Sequence, residues 1–222
     1  MNLLSKDVQK QVMAAMKEGQ ALGRGMECKS MTAALNIPDP DVPEAVPVRS
    51  KEHPMGLPEL LGDHVPAGRE NQAARLKTAN KLLEFGFDVM DVALDRGAVV
   101  LPENPEGSHF WRRGRVKKWR SRGCKPWKYD GCCFSGARCK HQRIDTQAEE
   151  ITRTDATCKH VHDQHEWKKA RNAAGHLEYA TAPEAEYTAP LVFHSAPLAF
   201  RGVPLVVLSA TLVFRGAARC AL

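Results

Sequence analysis

The sequence predicts an α/β fold: a partial, Rossmann-like half of a doubly wound sheet, set between a disordered or irregular N-terminal arm and a similar C-terminal tail. Three observations lead there. Residues 69–96 carry Leu76, Leu83, Phe87, Met90 and Leu94 at steps of 7, 4, 3 and 4, which line one face of a helix. Ala98-Val99-Val100-Leu101 follows at once, uniformly apolar and rich in β-branched residues, as in a strand buried on both faces. Pro102 then closes the run, and Glu103-Asn104-Pro105-Glu106-Gly107 reads as a polar loop. In open α/β sheets, ligands bind beyond the carboxyl ends of the strands, where this loop would lie.

The remaining elements follow in chain order. Within residues 1–35, apolar groups at Leu4, Val8, Val12 and Ala15/Met16 predict an amphipathic helix over 3–22. Residues 36–68 hold seven of the fourteen prolines, which remove backbone donors and bias their neighbours toward extended structure, so this stretch reads as a linker or a wrapping arm. The helix of 69–96 stops at Gly97. A basic helix is expected from Phe110 to Arg120, broken by Gly123 and Pro126, then an extended Trp127-Lys128-Tyr129-Asp130 and a glycine-bounded turn over 131–136. The half-domain thus covers 69–167, and an irregular Ala/Pro-rich tail fills 168–222.

Composition narrows the function. Of 222 residues, 26% are charged and 43% apolar, an ordinary balance for a soluble protein. The apolar stretch 191–214 is interrupted by His194, Pro197, Arg201 and Pro204, leaving no run able to span about 30 Å of hydrocarbon, so no membrane partner is expected. Asp7 and Glu18 spoil a leader-like N-terminus, and the odd cysteine count with adjacent Cys132-Cys133 suits a reducing compartment. An intracellular location follows, the nucleus included.

The net charge of +6 hides a strong asymmetry. Residues 109–143 contain twelve Lys/Arg against the single Asp130, so that stretch carries +11 and the rest of the chain is acidic. Trp111, Trp119 and Trp127 recur every eight residues among Arg112, Arg113, Arg115, Lys117, Lys118, Arg120, Arg122, Lys125 and Lys128. Cations of this density bind phosphates by releasing counterions, and interleaved indoles can stack on bases. Nucleic acid is the expected partner, DNA ahead of RNA. The other reading is a solvated basic helix anchored by its tryptophans, with Asp145, Glu149, Glu150 and Asp155 offsetting part of the charge.

Residues 70–167 resemble the rear half of the catalytic domain of DNA cytosine-5 methyltransferases, in particular divergent, mobile-element-associated protist versions. The likeness is carried by the order of a long helix, Ala98-Val99-Val100-Leu101-Pro102-Glu103-Asn104, the phrases Glu103-Asn104-Pro105-Glu106-Gly107-Ser108-x-x-Trp111 and Tyr129-Asp130-Gly131-Cys132, a partial Gln142-Arg143, and Cys158-x-His160-x-His162. The resemblance implies a methyltransferase-type α/β half-domain in which Glu103 contacts the target cytosine, Asn104 orders its loop and Arg143 supports substrate or phosphate. It also implies S-adenosylmethionine as cofactor. Two parts of the pattern are missing. Gly23-Arg24-Gly25, the one candidate cofactor loop, follows a predicted helix where a strand is required, and Cys28 is preceded by Glu27 instead of the proline of a Pro-Cys nucleophile. The expectation is therefore a nucleic-acid-binding remnant or a subunit completed by a second, complementary methyltransferase half, not competent alone. The triplet Glu103-Asn104-Pro105 equally suits a capped turn.

A second class of function comes from the cysteines and histidines. Cys139-x-His141 and Cys158-x-His160 or His162 could supply the four donors of a structural zinc, making the chain a small zinc-supported nucleic-acid-binding module. Spacings of one residue match no standard finger, so reduced thiols and solvent histidines remain the alternative. Catalytic zinc patterns are absent: His165-Glu166-Trp167-Lys168-Lys169 lacks the second histidine of His-Glu-x-x-His.

Overall fold

The structure is a computed structural model, which describes residues 4–15, 21–25, 31, 47–134, 140–153, 156–159, 161, 169–171, 177–179 and 205–207. It is an α/β fold. In chain order come α1 (Lys6–Ala15), β1 (Ala21–Gly25), α2 (Pro58–Leu61), α3 (Glu70–Asp95), β2 (Val99–Pro105), α4 (Gly114–Ser121), β3 (Lys125–Asp130), β4 (His141–Thr146), α5 (Glu149–Thr152), β5 (Lys169–Arg171), β6 (Leu177–Tyr179) and β7 (Leu205–Val207). Five strands form one sheet in the order β3-β4-β2-β1-β7, while β5 and β6 pair separately as an antiparallel couple. β1 runs parallel to both β2 and β7, and β2-β4-β3 is an antiparallel trio. Among the described residues no helix is long and apolar enough to cross a membrane.

The central helix follows its sequence pattern. α3 buries Leu76, Leu83, Phe87, Met90 and Leu94 as the periodicity predicts, and Gly97 ends it with φ +69, a left-handed conformation that suits glycine. Val100 points to the α3 side, into a cluster with Phe87, Phe110, Trp111, Val116 and Trp119. Leu101, alternating to the other face, joins Trp127, Tyr129, Ile144 and Ile151. β2 is thus buried on both faces, as expected.

Several boundaries differ from the sequence reading. β2 does not close at Pro102 but runs on to Pro105, so Glu103 and Asn104 lie inside the sheet and not in a polar loop. The reason is pairing: Glu103, Asn104 and Pro105 face Ile144, Arg143 and Gln142 of β4, and the turn comes later, where the Ser108 amide donates to the Pro105 carbonyl. The expected helix of 110–120 divides into a 3₁₀ turn over His109–Arg112, capped by the Ser108 side chain, and the eight-residue α4.

The N-terminal region also departs from expectation. The first helix is described over Lys6–Ala15, and Ala21–Gly25, assigned above to helix and loop, form a strand beside β2. From Pro47 onward the proline-rich stretch packs on α3: Val48, Leu57, Leu60, Leu61 and Val65 surround Ala73 and Leu76. Side chains of α3 and its cap hold it by the backbone acceptors that prolines leave available. Asn80 donates to the Met55 carbonyl at 2.8 Å and Arg69 to the Pro47 carbonyl at 2.9 Å.

Candidate functional site

Register fixes where the three residues implied by the resemblance stand. Directly opposed residues of an antiparallel pair share a face, so Asn104 lies beside Arg143, and Glu103 beside Ile144 on the other side of the sheet. The three are neighbours in the ladder but do not converge on one face. Glu103, 8% exposed, lies inside β2, two residues before its end, and parallel β1 sets Gly25 opposite it. On its face lie Tyr129, stacked on Trp127 with ring centroids 4.8 Å apart, and Gln142. With its amide nitrogen turned toward the carboxylate, Gln142 donates to Glu103 Oε1 at 2.8 Å. Burial first, and then the Glu103 charge, pushes the Tyr129 phenol well above its ordinary range.

Arg143 is committed to structure. Its guanidinium donates to both oxygens of Asp145, at 2.6 and 3.1 Å, and lies over the Trp111 ring, 4.5 Å from the centroid. Asp145 is fully buried and also accepts from Arg120 at 2.8 Å. The Trp111 indole nitrogen in turn donates to the Pro105 carbonyl at 2.8 Å, tying the end of β2 to the turn that follows.

Much of the basic segment is paired with acids of the same chain. On α3, Glu84, Asp88, Asp91 and Asp95 fall at steps of 4, 3 and 4 and form an acidic stripe. Arg113 pairs with Glu84 at 2.6 Å, Arg115 with Asp88 at 2.7 Å and with Asp91, and Arg122 with Asp95 at 2.8 Å. Lys125 reaches Glu149 at 3.3 Å and Lys128 pairs with Glu106. Trp119 is wholly buried, its indole donating to Asp91 at 2.6 Å, and Trp127 is 6% exposed in the opposite core. Neither ring offers a face to a base, which corrects the stacking expected from the eight-residue spacing. Arg112, Lys117 and Lys118 are exposed and form no ion pair among the described residues. The acidic stripe was readable in the sequence by the same periodicity that marks the apolar face of α3.

No family model matches this chain, and no curated protein or solved structure is significantly similar to it.

Of the zinc candidates, Cys139, His160 and His162 lie outside the described residues, and so does the His165-Glu166 phrase. His141 and Cys158 are described, and both bind Asp130, which is 5% exposed. Oδ1 meets His141 Nδ1 at 2.5 Å, and Oδ2 accepts from the Cys158 amide at 2.7 Å. Among the described residues no three His, Cys, Asp or Glu side chains are grouped to hold a metal ion. The sequence reading marks Asp130 as the lone acid in the basic stretch and as part of Tyr129-Asp130-Gly131-Cys132, but not as the partner of His141.

Proposed function

We propose that this chain is a partial, Rossmann-like half-domain of the DNA cytosine-5 methyltransferase type that binds nucleic acid and acts with a complementary methyltransferase half or second subunit. The observation that carries this reading is the parallel pairing of β1 and β2, in which Gly25, the last residue of β1, stands opposite Glu103, two residues before the end of β2. The carboxyl ends of strands are where open α/β sheets take their ligands. Gly23-Arg24-Gly25 themselves form the end of β1 and pair with Leu101, Pro102 and Glu103, so the glycines lie in strand and not in a loop beyond it. A buried acid held by Gln142 beside a stacked Tyr129 suits the role the family gives its glutamate, which is to contact the pyrimidine edge of the target base.

Nucleic acid would be met along the exposed edge of Arg112, Lys117 and Lys118, by charge and not by stacking. Cys28 follows Gly25 by three residues but lacks the preceding proline, and the chain alone is not proposed to complete methyl transfer.

The experiment is a pair of titrations on the full chain. Fluorescence anisotropy with a labelled duplex should give saturable binding that Lys117→Ala/Lys118→Ala weakens. Calorimetry with S-adenosylmethionine should give measurable heat. Silence in both titrations refutes the reading, and duplex binding without cofactor heat removes its methyltransferase part.

A further inference from the structure

The ion pairs between α3 and α4 are layered. In each of three pairs the carboxylate is the outer partner: the Glu84 side chain is 42% exposed against 13% for Arg113, Asp88 56% against 31% for Arg115, and Asp95 68% against 28% for Arg122. The pairs also follow the same order along both helices, so α4 lies parallel to α3 and the acids form a row over its arginines.

Such a row is costly where it stands. Glu84 to Asp95 occupy the C-terminal half of α3, whose carbonyl end is negative, and no basic residue lies in the last turn of the helix. Like charges at steps of 4, 3 and 4 repel one another as well. The stripe is therefore matched to cations outside its own helix, and α4 supplies them.

Paired and exposed cations alternate on α4. Lys117 stands four residues after Arg113, while Lys118 stands three after Arg115 and four before Arg122, spacings that make them neighbours on the helix surface. A phosphodiester chain held at the exposed Lys117 and Lys118 thus comes within one helical turn of three arginines. The carboxylates over those arginines repel it, and occupy the guanidinium groups in the way phosphate oxygens would.

We propose that Arg113, Arg115 and Arg122 form a latent second row of the nucleic-acid surface, covered by Glu84, Asp88 and Asp95 as an internal substitute for phosphate. The stripe restricts binding to Arg112, Lys117 and Lys118 and sets the affinity as an intramolecular competitor. This inference rests on the nucleic-acid reading above.

The test is the salt dependence of binding of the full chain to a labelled duplex. Glu84→Gln/Asp88→Asn/Asp95→Asn spares Asp91, which holds Trp119, and should bind more tightly at low salt. Its slope of log K against log salt should be steeper than that of the wild type by about 0.9 for each arginine uncovered. Asp95→Asn alone, at the most exposed of the acids, tests one pair without endangering the fold. It should steepen the slope by about 0.9, and should add nothing in an Arg122→Gln background. Equal tightening in both backgrounds would overturn the proposal, because the effect would then be one of net charge and not of an uncovered arginine. Wild-type binding that neither acid variant changes also overturns it and leaves the nucleic-acid reading standing. No binding by any of the proteins removes both.

Discussion

Trp119 of α4 and Asp91 of α3 are joined by a hydrogen bond of 2.6 Å from the indole nitrogen, and the same carboxylate receives the Arg115 guanidinium. One acid thus anchors both an aromatic and a cation that the sequence assigns to a nucleic-acid surface. Asp91→Ala should destabilise the fold by roughly 2–3 kcal/mol, since hydrogen bonds to a charged group are each worth more than neutral ones. Urea unfolding followed by tryptophan fluorescence measures it; a change within 0.5 kcal/mol, roughly the scatter of ordinary surface substitutions, would show the junction to be incidental.

The Arg143–Asp145–Arg120 group should be more sensitive still. Asp145 has no exposed surface, and both arginines point at it from different elements. Removing the acid leaves two guanidinium groups, 13% and 34% exposed, without their counter-charge. Asp145→Ala should cost about 3–5 kcal/mol, whereas Glu84→Gln, at the half-exposed end of the α3 stripe, should cost less than about 1 kcal/mol. Denaturant midpoints of the two variants, compared at equal m-value, check the ranking.

Parts of this architecture were legible in the sequence and parts were not, for identifiable reasons. α3 was legible because five large apolar residues recur at helical spacing over 26 residues, and no other period fits them. β3 was legible from its alternation around Trp127 and Tyr129. The end of β2 was not, because Pro102 and Glu103-Asn104-Pro105 carry the local chemistry of a turn, and only β4, some 40 residues on, makes them strand. β1 was invisible for the same reason: Ala21–Gly25 has two glycines and an arginine, and its strand character comes from partners at 99–103 and 205–207. At the site, charge density was read correctly as +11, but composition cannot say whether the counter-charge is a ligand or a helix of the same chain.

His109 makes stability depend on pH. It is 2% exposed at the turn after β2, and burial, followed by the charges of Arg112 and Arg49, lowers its pKa from the ordinary 6.5. The folded state therefore binds a proton at this ring less readily than the unfolded chain. Its contribution to stability is fully present above about pH 6.5 and is lost as the pH falls below that value toward the lowered folded pKa. Thermal melts between pH 7.5 and 5 should show a decline that His109→Gln reduces. An unchanged slope in the variant would assign the decline to other groups.

Cys124 and Cys133 should differ sharply toward alkylating reagents. Burial, and then the Asp145 charge, pushes the Cys124 thiol up to about 11, with Arg122 opposing, whereas Cys133 is exposed. Iodoacetamide at pH 8 under native conditions should modify Cys133 within minutes and leave Cys124 unmodified until denaturant is added. Peptide mapping reads both sites at once; equal rates would contradict the packing of Cys124 beneath α4.

We propose that nucleic acid meets the exposed Arg112, Lys117 and Lys118, because Arg113, Arg115, Arg120, Arg122 and Arg143 are already paired within the chain. The salt dependence of duplex binding tests it most directly. Three phosphate contacts, from Arg112, Lys117 and Lys118, predict that log K falls with log salt at a slope of about −2.7, reduced by about 1 for each lysine removed. No binding at low salt, or a slope near −10 as for a fully available stretch of cations, would contradict it.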